Sequence, residues 1–66
     1  MTQTTIKNLG ENYYRIYRDG IEVGDAWKVG PQWAGHPTVN GMPRPEFSHV
    51  HGRTRKAVVA KLLEEY

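Results

Sequence analysis

An Asp-Gly pair that follows a run of strand-forming residues is the feature that most limits how this chain folds. Asp19 and Gly20 come directly after the segment YYRIYR at positions 13–18, which is rich in aromatic and β-branched residues. Because Asp-Gly tolerates the positive φ angles of a two-residue type I′ turn, the pattern predicts a β-hairpin with Arg18 opposite Ile21.

Strand alternation divides the side chains of this hairpin between two faces. The core face is expected to hold Tyr14, Ile16, Ile21, Val23, Trp27 and Val29. The opposite face is expected to hold Tyr13, Arg15 and Tyr17 across from Glu22, Gly24 and Ala26. Because the second strand offers small residues there, the two rings and the guanidinium group of the first strand are expected to stay uncovered.

Residues 30–46 are predicted to form a long loop. All four prolines and three glycines lie in this segment, and proline disfavours both helices and central strands. Loops of this length in small domains are usually functional or mobile. Trp33 is interpreted either as a cap on the core or as part of a functional surface. Thr38 and Val39 either belong to the loop or form a short strand before a second tight turn.

The last third of the chain predicts a strand and a helix. Residues 46–51 are expected to form the third main strand, with Phe47 facing the core. Thr54 is placed to cap a helix from Arg55 to Tyr66. One side of this helix is apolar and is expected to pack on the sheet through Val58, Val59, Leu62, Leu63 and Tyr66.

These elements predict an α+β fold. The sheet is expected to be antiparallel and three-stranded, or four-stranded if the short strand forms, with the C-terminal helix on one face. A single domain covers residues 12–66, and residues 1–11 are expected to form a flexible arm or an edge strand.

Composition narrows the class of protein. With 66 residues, the chain has room for one small core. It contains no cysteine, which excludes disulfides and thiolate zinc sites. No apolar run approaches the roughly 18 residues that cross a bilayer, and the first ten residues lack the apolar block of a signal sequence. The sequence therefore predicts a cytoplasmic protein that is neither secreted nor membrane-bound.

Catalysis and metal binding are not expected. The chain leaves little room for a substrate pocket, and it shows no nucleophile with a plausible base and no phosphate-binding glycine loop. His49 and His51 alternate onto one strand face, and His36 precedes them. Without cysteine ligands, the two strand histidines are interpreted as half-buried neighbours or phosphate contacts. We expect neither a metal nor a cofactor.

One face of the sheet and one end of the helix carry residues that are suited to contact a partner. Tyr13, Arg15 and Tyr17 combine stacking surfaces with a guanidinium group that makes bidentate contacts to guanine or phosphate. A second group of cations surrounds the helix N-terminus and consists of Arg53, Arg55 and Lys56. Backbone N–H groups and these cations are expected to hold a phosphate. The alternative is an ordinary solvated surface, since the net charge is only +2.

The segments YRIYRDG and GRTRKAVVAKLLEEY resemble the three-stranded sheet-plus-helix modules of the AP2 and integrase arm-binding type over residues 12–66. Such modules lay their sheet in the DNA major groove, with the helix behind it. The resemblance implies stacking or sugar contacts from Tyr13 and Tyr17. It implies base or phosphate contacts from Arg15, Arg18 and Lys28. This chain departs from these modules in the long segment 30–46.

The C-terminal segment is similar to two further groups. Its strands and its helix start at Thr54 resemble antitoxin domains of the HicB type, although Ala57 stands one position early. The pattern TR-x-AV-x-x-LL, from Thr54 to Leu63, is similar to short uncharacterised proteins of actinobacteria and their phages. This last likeness implies no activity.

The sequence leads to two hypotheses about function, a nucleic-acid-binding protein and a protein-interaction module. The first is a small nucleic-acid-binding accessory or regulatory protein that contacts double-stranded DNA through the sheet face and the basic helix N-terminus. The second is a protein-interaction module, comparable to an antitoxin or a phage factor that modulates its host. It would bind a protein partner through an aromatic patch of Tyr13, Tyr17 and Trp33. Homodimerisation is compatible with either function.

Overall fold

An antiparallel sheet with one helix across it forms the structure, a computed structural model that describes residues 3–65. The elements are β1 (Thr4–Gly10), β2 (Tyr13–Arg18), β3 (Ile21–Val29), β4 (Gln32–Val39), β5 (Met42–Pro43), β6 (Val50–Gly52) and α1 (Arg55–Glu65). Strands β1 to β4 are neighbours in chain order, and β5 and β6 both pair with β4. The predicted α+β class is confirmed, but the sheet has six strands rather than three or four.

The hairpin between β2 and β3 turns where the sequence predicts it. Asp19 and Gly20 have φ angles of 52° and 81°, as a type I′ turn requires. Arg18 lies opposite Ile21, in agreement with the expected register. The Asp-Gly pair therefore predicts correctly where the hairpin turns and that Arg18 and Ile21 are the first residues to pair.

A β-bulge at Val23 changes the rest of this register. Ile16 lies opposite Gly24 instead of Val23, and one extra residue moves every later side chain of β3 to the other face. Trp27, predicted in the core, therefore lies on the face opposite α1. Ala26, predicted on the open face, is buried beneath α1.

Two further residues of the predicted core face are also outside the core. Ile21 is 71% exposed next to the turn, and Val29 is 54% exposed at the far end of β3. Ile21 stands directly after the turn, at the start of β3. Val29 follows the bulge and therefore shares the face of Trp27, opposite α1. The prediction of Ile21 as core was wrong because alternation was extended to the end of the strand, and that of Val29 was wrong because of the bulge.

The prediction of a loop over residues 30–46 was also wrong, because β4 crosses this segment as an inner strand. Pro37 is fully buried in it, and its carbonyl accepts the N–H of Arg44 at 3.0 Å. The N side of Pro37 therefore faces the edge where the partner of β4 changes from β6 to β5. No ladder donor is needed at that point, so an inner strand tolerates proline there.

The second tight turn, at Asn40 and Gly41, is confirmed by φ angles of 54° and 77°. It joins β4 to the two-residue strand β5, so that Thr38 and Val39 pair as the alternative prediction allowed.

The third strand predicted over residues 46–51 is reduced to β6. Residues 44–49 instead run irregularly along the face of the sheet opposite α1. Phe47, predicted to face the core, is only half-buried, and the Arg44 guanidinium lies 4.6 Å from its ring centroid. Its backbone carbonyl lies 2.9 Å from the His36 ring, a polar contact between this segment and β4.

The helix begins as the sequence predicts, since the Thr54 hydroxyl accepts the N–H of Ala57 at 3.1 Å. The buried side of α1 joins sheet residues in one core, formed by Ile16, Val23, Ala26, Val50, Val58, Val59 and Leu62. Leu63 packs against this core, and Tyr66 lies outside the described residues. Within residues 3–65, no helix is long and apolar enough to span a membrane.

Glycines let the helix approach the sheet closely. A Cβ atom on Gly35 would lie 2.5 Å from a methyl group of Val58 and 2.9 Å from the backbone oxygen of Asp25. Both distances are shorter than van der Waals contact allows. The same close approach occurs at Gly24 and Gly52. Small residues beneath α1 thus set the distance between the two layers.

Candidate functional site

The pairing register separates the predicted contact residues onto two faces of the sheet. Tyr13, Arg15 and Tyr17 lie on the face opposite α1, as alternation along β2 requires. Arg18 lies on the helix side, where its guanidinium donates to the carbonyl of Leu63. The residues assigned to one DNA-binding surface therefore do not share a face.

Arg15 is bound to a buried carboxylate. Its Nε donates to Oδ1 of Asp25 at 2.8 Å and its Nη2 to Oδ2 at 3.2 Å, while Glu22 lies 3.8 Å away. The hydrogen bond to Asp25 raises the pKa of Arg15 above its usual range. Asp25 is only 2% exposed, so the charge of Arg15 is largely compensated inside the molecule.

Tyr13 completes the shell around this carboxylate. Its hydroxyl donates to Oδ2 of Asp25 at 2.6 Å, and this hydrogen bond is the main reason why the pKa of Tyr13 is raised. The ring stacks on Trp27 with centroids 6.2 Å apart and planes 14° from parallel, and 37% of the residue stays exposed. Tyr13 thus joins a buried acid to an accessible aromatic pair.

The raised pKa of Tyr13 predicts that part of the free energy of unfolding depends on pH. Because folding raises the pKa of Tyr13 above its ordinary value of 10.0, the folded chain keeps this proton where the unfolded chain loses it. The contribution is complete below pH 10 and is lost as the pH rises through the raised pKa. We expect the free energy of unfolding, measured with urea, to fall less steeply above about pH 10 in Tyr13→Phe than in the wild type. Equal slopes would contradict this role.

A small cavity opens beside the carboxylate, between the sheet and the segment that follows β4. It has a volume of about 170 Å³, and Gly41 and Pro43 are among its lining residues. Its remaining lining residues are Tyr13, Asp25, Trp27, His36, Thr38 and His49. We call it the Asp25 cavity.

The histidines of this cavity are fixed by neighbours rather than arranged as metal ligands. The two ring nitrogens of His36 lie 2.8 Å from the Pro37 carbonyl and 2.9 Å from the Phe47 carbonyl. The His49 ring stands edge-on to Trp27, with centroids 5.5 Å apart and planes 88° from parallel. Over residues 3–65 no three His, Cys, Asp or Glu side chains converge as a metal site would require.

The other predicted cations lie together at one end of the sheet. Lys28 is opposite Trp33, and Trp33 is opposite Gly52, so one row of the sheet leads to the residues before α1. The Arg55 guanidinium lies 4.5 Å from the ring centroid of Tyr14. We call this region the basic aromatic end; it comprises Tyr14, Lys28 and Trp33 on the helix side of the sheet and the cations Arg53, Arg55 and Lys56 around the start of α1.

Sequence reasoning found the cations of this end but assigned Tyr14, which lies beside Arg55, to the core. It also assigned Trp27 to the core. The bulge moves Trp27 out of the core, and no sequence signal marks that bulge. Asp25 could have been noticed, because aspartate is depleted in strands and here interrupts an otherwise strand-like run. A charged residue at such a position indicates a buried partner.

The aromatic patch proposed for a protein partner is not assembled in the structure. Tyr17 lies four residues from Tyr13, about 13 Å along the strand. Trp33 packs against the helix-side core, on the face opposite both tyrosines. The three rings therefore do not form one surface.

Comparisons with known proteins give no family for this chain. No family model matches it, and no curated protein or solved structure is significantly similar to it. The resemblances drawn from the sequence stay predictions, and the function has to be argued from the residues themselves.

Proposed function

We propose that the protein binds nucleic acid in single-stranded form, through the basic aromatic end. The observation that carries the proposal is the Arg55 guanidinium, which lies 4.5 Å from the Tyr14 ring centroid, with the exposed cations Arg53 and Lys56 close to it in sequence around the start of α1. Proteins that bind single strands combine a positive surface for the phosphates with rings on which bases stack. Tyr14 and Trp33, with ring centroids 5.9 Å apart, are the rings on the side of these cations.

The charge distribution supports this location over the open sheet face. Between positions 47 and 63 the chain contains no acidic residue, so the surface around the start of α1 has little to offset its cations. The sheet face opposite α1 instead carries Asp25 and Glu22, and Arg15 is already paired with both. Phosphates are attracted to the first surface and receive little from the second.

Residues 44–49 also count against docking the sheet face into a DNA groove. They run along the half of this face formed by β3 and β4, where His49 contacts Trp27 and Phe47 contacts His36. A duplex would have to displace them to reach the strands. A single strand bound at the basic aromatic end would not have to displace them.

Fluorescence anisotropy of labelled oligonucleotides tests the proposal. We expect single-stranded DNA or RNA to bind more tightly than duplex DNA, and binding to weaken between about 50 and 200 mM salt as counterions are released. The variant Arg53→Gln/Lys56→Gln should lower the salt slope by about 1.4, or about 0.7 for each lost phosphate contact.

A matched control variant removes two positive charges from another part of the protein surface. Lys7→Gln/Arg44→Gln removes the same two charges from outside the basic aromatic end and should leave the slope unchanged. Equal effects of the two double variants would show that only net charge matters. Absence of binding to all three nucleic acids at low salt would refute the proposed function.

A further inference from the structure

We propose that the free edge of β1 pairs with the same edge of a second copy of this chain, so that two sheets join into one. On one side β1 pairs with β2, and over residues 3–65 no strand pairs with its other side. Every residue of β1 is exposed. A strand with an unpaired edge presents N–H and C=O groups that another strand can bind.

The hydrogen bonds of Gln3 show which backbone groups of β1 point to the free edge. Gln3 donates its N–H to Oδ1 of Asp19 at 2.7 Å, and its carbonyl accepts the N–H of Asp19 at 2.8 Å. In an antiparallel pair, residues that bond to the neighbouring strand alternate with residues that do not. The N–H and C=O groups of Thr4, Ile6 and Asn8 therefore face the free edge.

These outward groups are arranged symmetrically about Ile6. The regular pairing of β1 runs from Thr4 to Asn8, and a bulge follows before Gly10. When Ile6 lies opposite Ile6 of the second copy in an antiparallel pair, each Thr4 lies opposite an Asn8. All outward residues of both copies then form hydrogen-bonded pairs, with about six hydrogen bonds in total, two for each pair. A shift in either direction leaves some of these groups without a partner.

The charge of Lys7 also favours the register centred on Ile6. A pairing centred on Lys7 would place two ammonium groups opposite each other, and like charges in that position are destabilising. In the register centred on Ile6, Lys7 lies opposite the uncharged Thr5. Lysine on an edge strand commonly prevents pairing, but here it excludes one register and is compatible with another.

The side chain of Ile6 gains apolar contact from the same pairing. Ile6 lies opposite the core residue Ile16 and therefore points to the helix side of the sheet. In the single copy it is 40% exposed, and in the pair it faces the same β-branched side chain, a favourable cross-strand contact.

A second copy suits this edge because the pairing is self-complementary. The same patch is used on both chains, so a two-fold axis closes the assembly at a dimer and leaves neither β1 with a free edge. Small domains also commonly gain stability from a second chain. The proposal does not depend on nucleic-acid binding.

Sedimentation equilibrium of charge variants at position 5 tests the register. Thr5→Lys places a cation opposite Lys7 of the second copy, twice in each dimer, and Thr5→Glu places an anion there. We expect the dimer dissociation constant to rise in the first variant and to fall in the second, each by about twofold to thirtyfold.

Matched variants at Gln32 control for net charge. Gln32→Lys and Gln32→Glu make the same changes of charge at an exposed residue of β4 and should leave the dissociation constant nearly unchanged. Shifts of equal size at positions 5 and 32, or shifts of the same sign in Thr5→Lys and Thr5→Glu, would overturn the proposal.

Removing the central N–H tests the edge itself. Ile6→Pro removes an outward N–H without breaking a hydrogen bond to β2, and edge strands tolerate proline at such positions. We expect this variant to keep the far-UV circular dichroism of the wild type and to be monomeric. A dimer retained in the folded variant would overturn the proposal. If Ile6→Pro does not fold, the variants at position 5 decide. A wild-type chain that is monomeric up to about 1 mM would also overturn the proposal and leave the edge to an extended segment of another protein.

Discussion

Replacing Asp25 with alanine is expected to remove most of the stability of the folded chain. The substitution leaves the Arg15 guanidinium and the Tyr13 hydroxyl without the acceptor that they share. Breaking a buried ion pair by removing one partner costs about 3–5 kcal/mol, and a small domain has a total stability near the lower end of about 5–15 kcal/mol. Urea unfolding followed by tryptophan fluorescence and far-UV circular dichroism would measure the loss.

Two variants show whether the cost comes from the unpaired charge. Arg15→Met/Asp25→Leu removes the whole pair and should be clearly more stable than Asp25→Ala, because apolar replacement of a buried pair is often neutral. Glu46→Gln breaks the exposed pair with Arg44 and should have no measurable effect. A loss below about 1 kcal/mol in Asp25→Ala would mean that solvent reaches this carboxylate freely.

Gly35→Val is expected to be the second most damaging substitution. A Cβ at this position would meet Val58 at 2.5 Å and a backbone oxygen at 2.9 Å, and the backbone of β3 cannot move without breaking its pairing. Overpacking of this kind costs about 1–3 kcal/mol and occasionally more, and the two further methyl groups of valine place it at the upper end. The same urea experiment measures the change.

The control for Gly35→Val is the same substitution at a glycine that has free space around it. A Cβ on Gly10 would have no atom within 4 Å, so Gly10→Val should change the free energy of unfolding far less than Gly35→Val. Similar losses for both variants would indicate that backbone preferences, not the contact between α1 and the sheet, explain the effect.

Local signals in the sequence predicted those parts of the fold that short-range chemistry decides. The turn at Asp19 and Gly20 and the cap at Thr54 each depend on a few neighbouring residues, and both are present. Strand β4 was missed because Gly35 and Pro37 disfavour strands on their own. Pro37 is tolerated there because of where β5 and β6 pair with β4, and Gly35 because α1 packs directly on it, which is long-range information.

The candidate site, like the fold, could be predicted from the sequence only in part. The cations around the start of α1 could be found from sequence, since they need only surface exposure. The roles of Arg15 and Trp27 could not, because each depends on the bulge at Val23, which brings Asp25 and Trp27 to the face of Tyr13. One unpaired residue therefore decides which side chains meet, and no periodicity in the sequence reports it.

The order of the strands has a consequence for how quickly the chain folds. Strands β1 to β4 pair with their neighbours in sequence through short turns, so these contacts close small loops and cost little chain entropy. Rates of two-state folding rise with the share of such local contacts. The docking of α1 and β6 joins segments that are farther apart in the sequence. We expect this late step to control how long the native state survives, so that weakening it mainly accelerates unfolding.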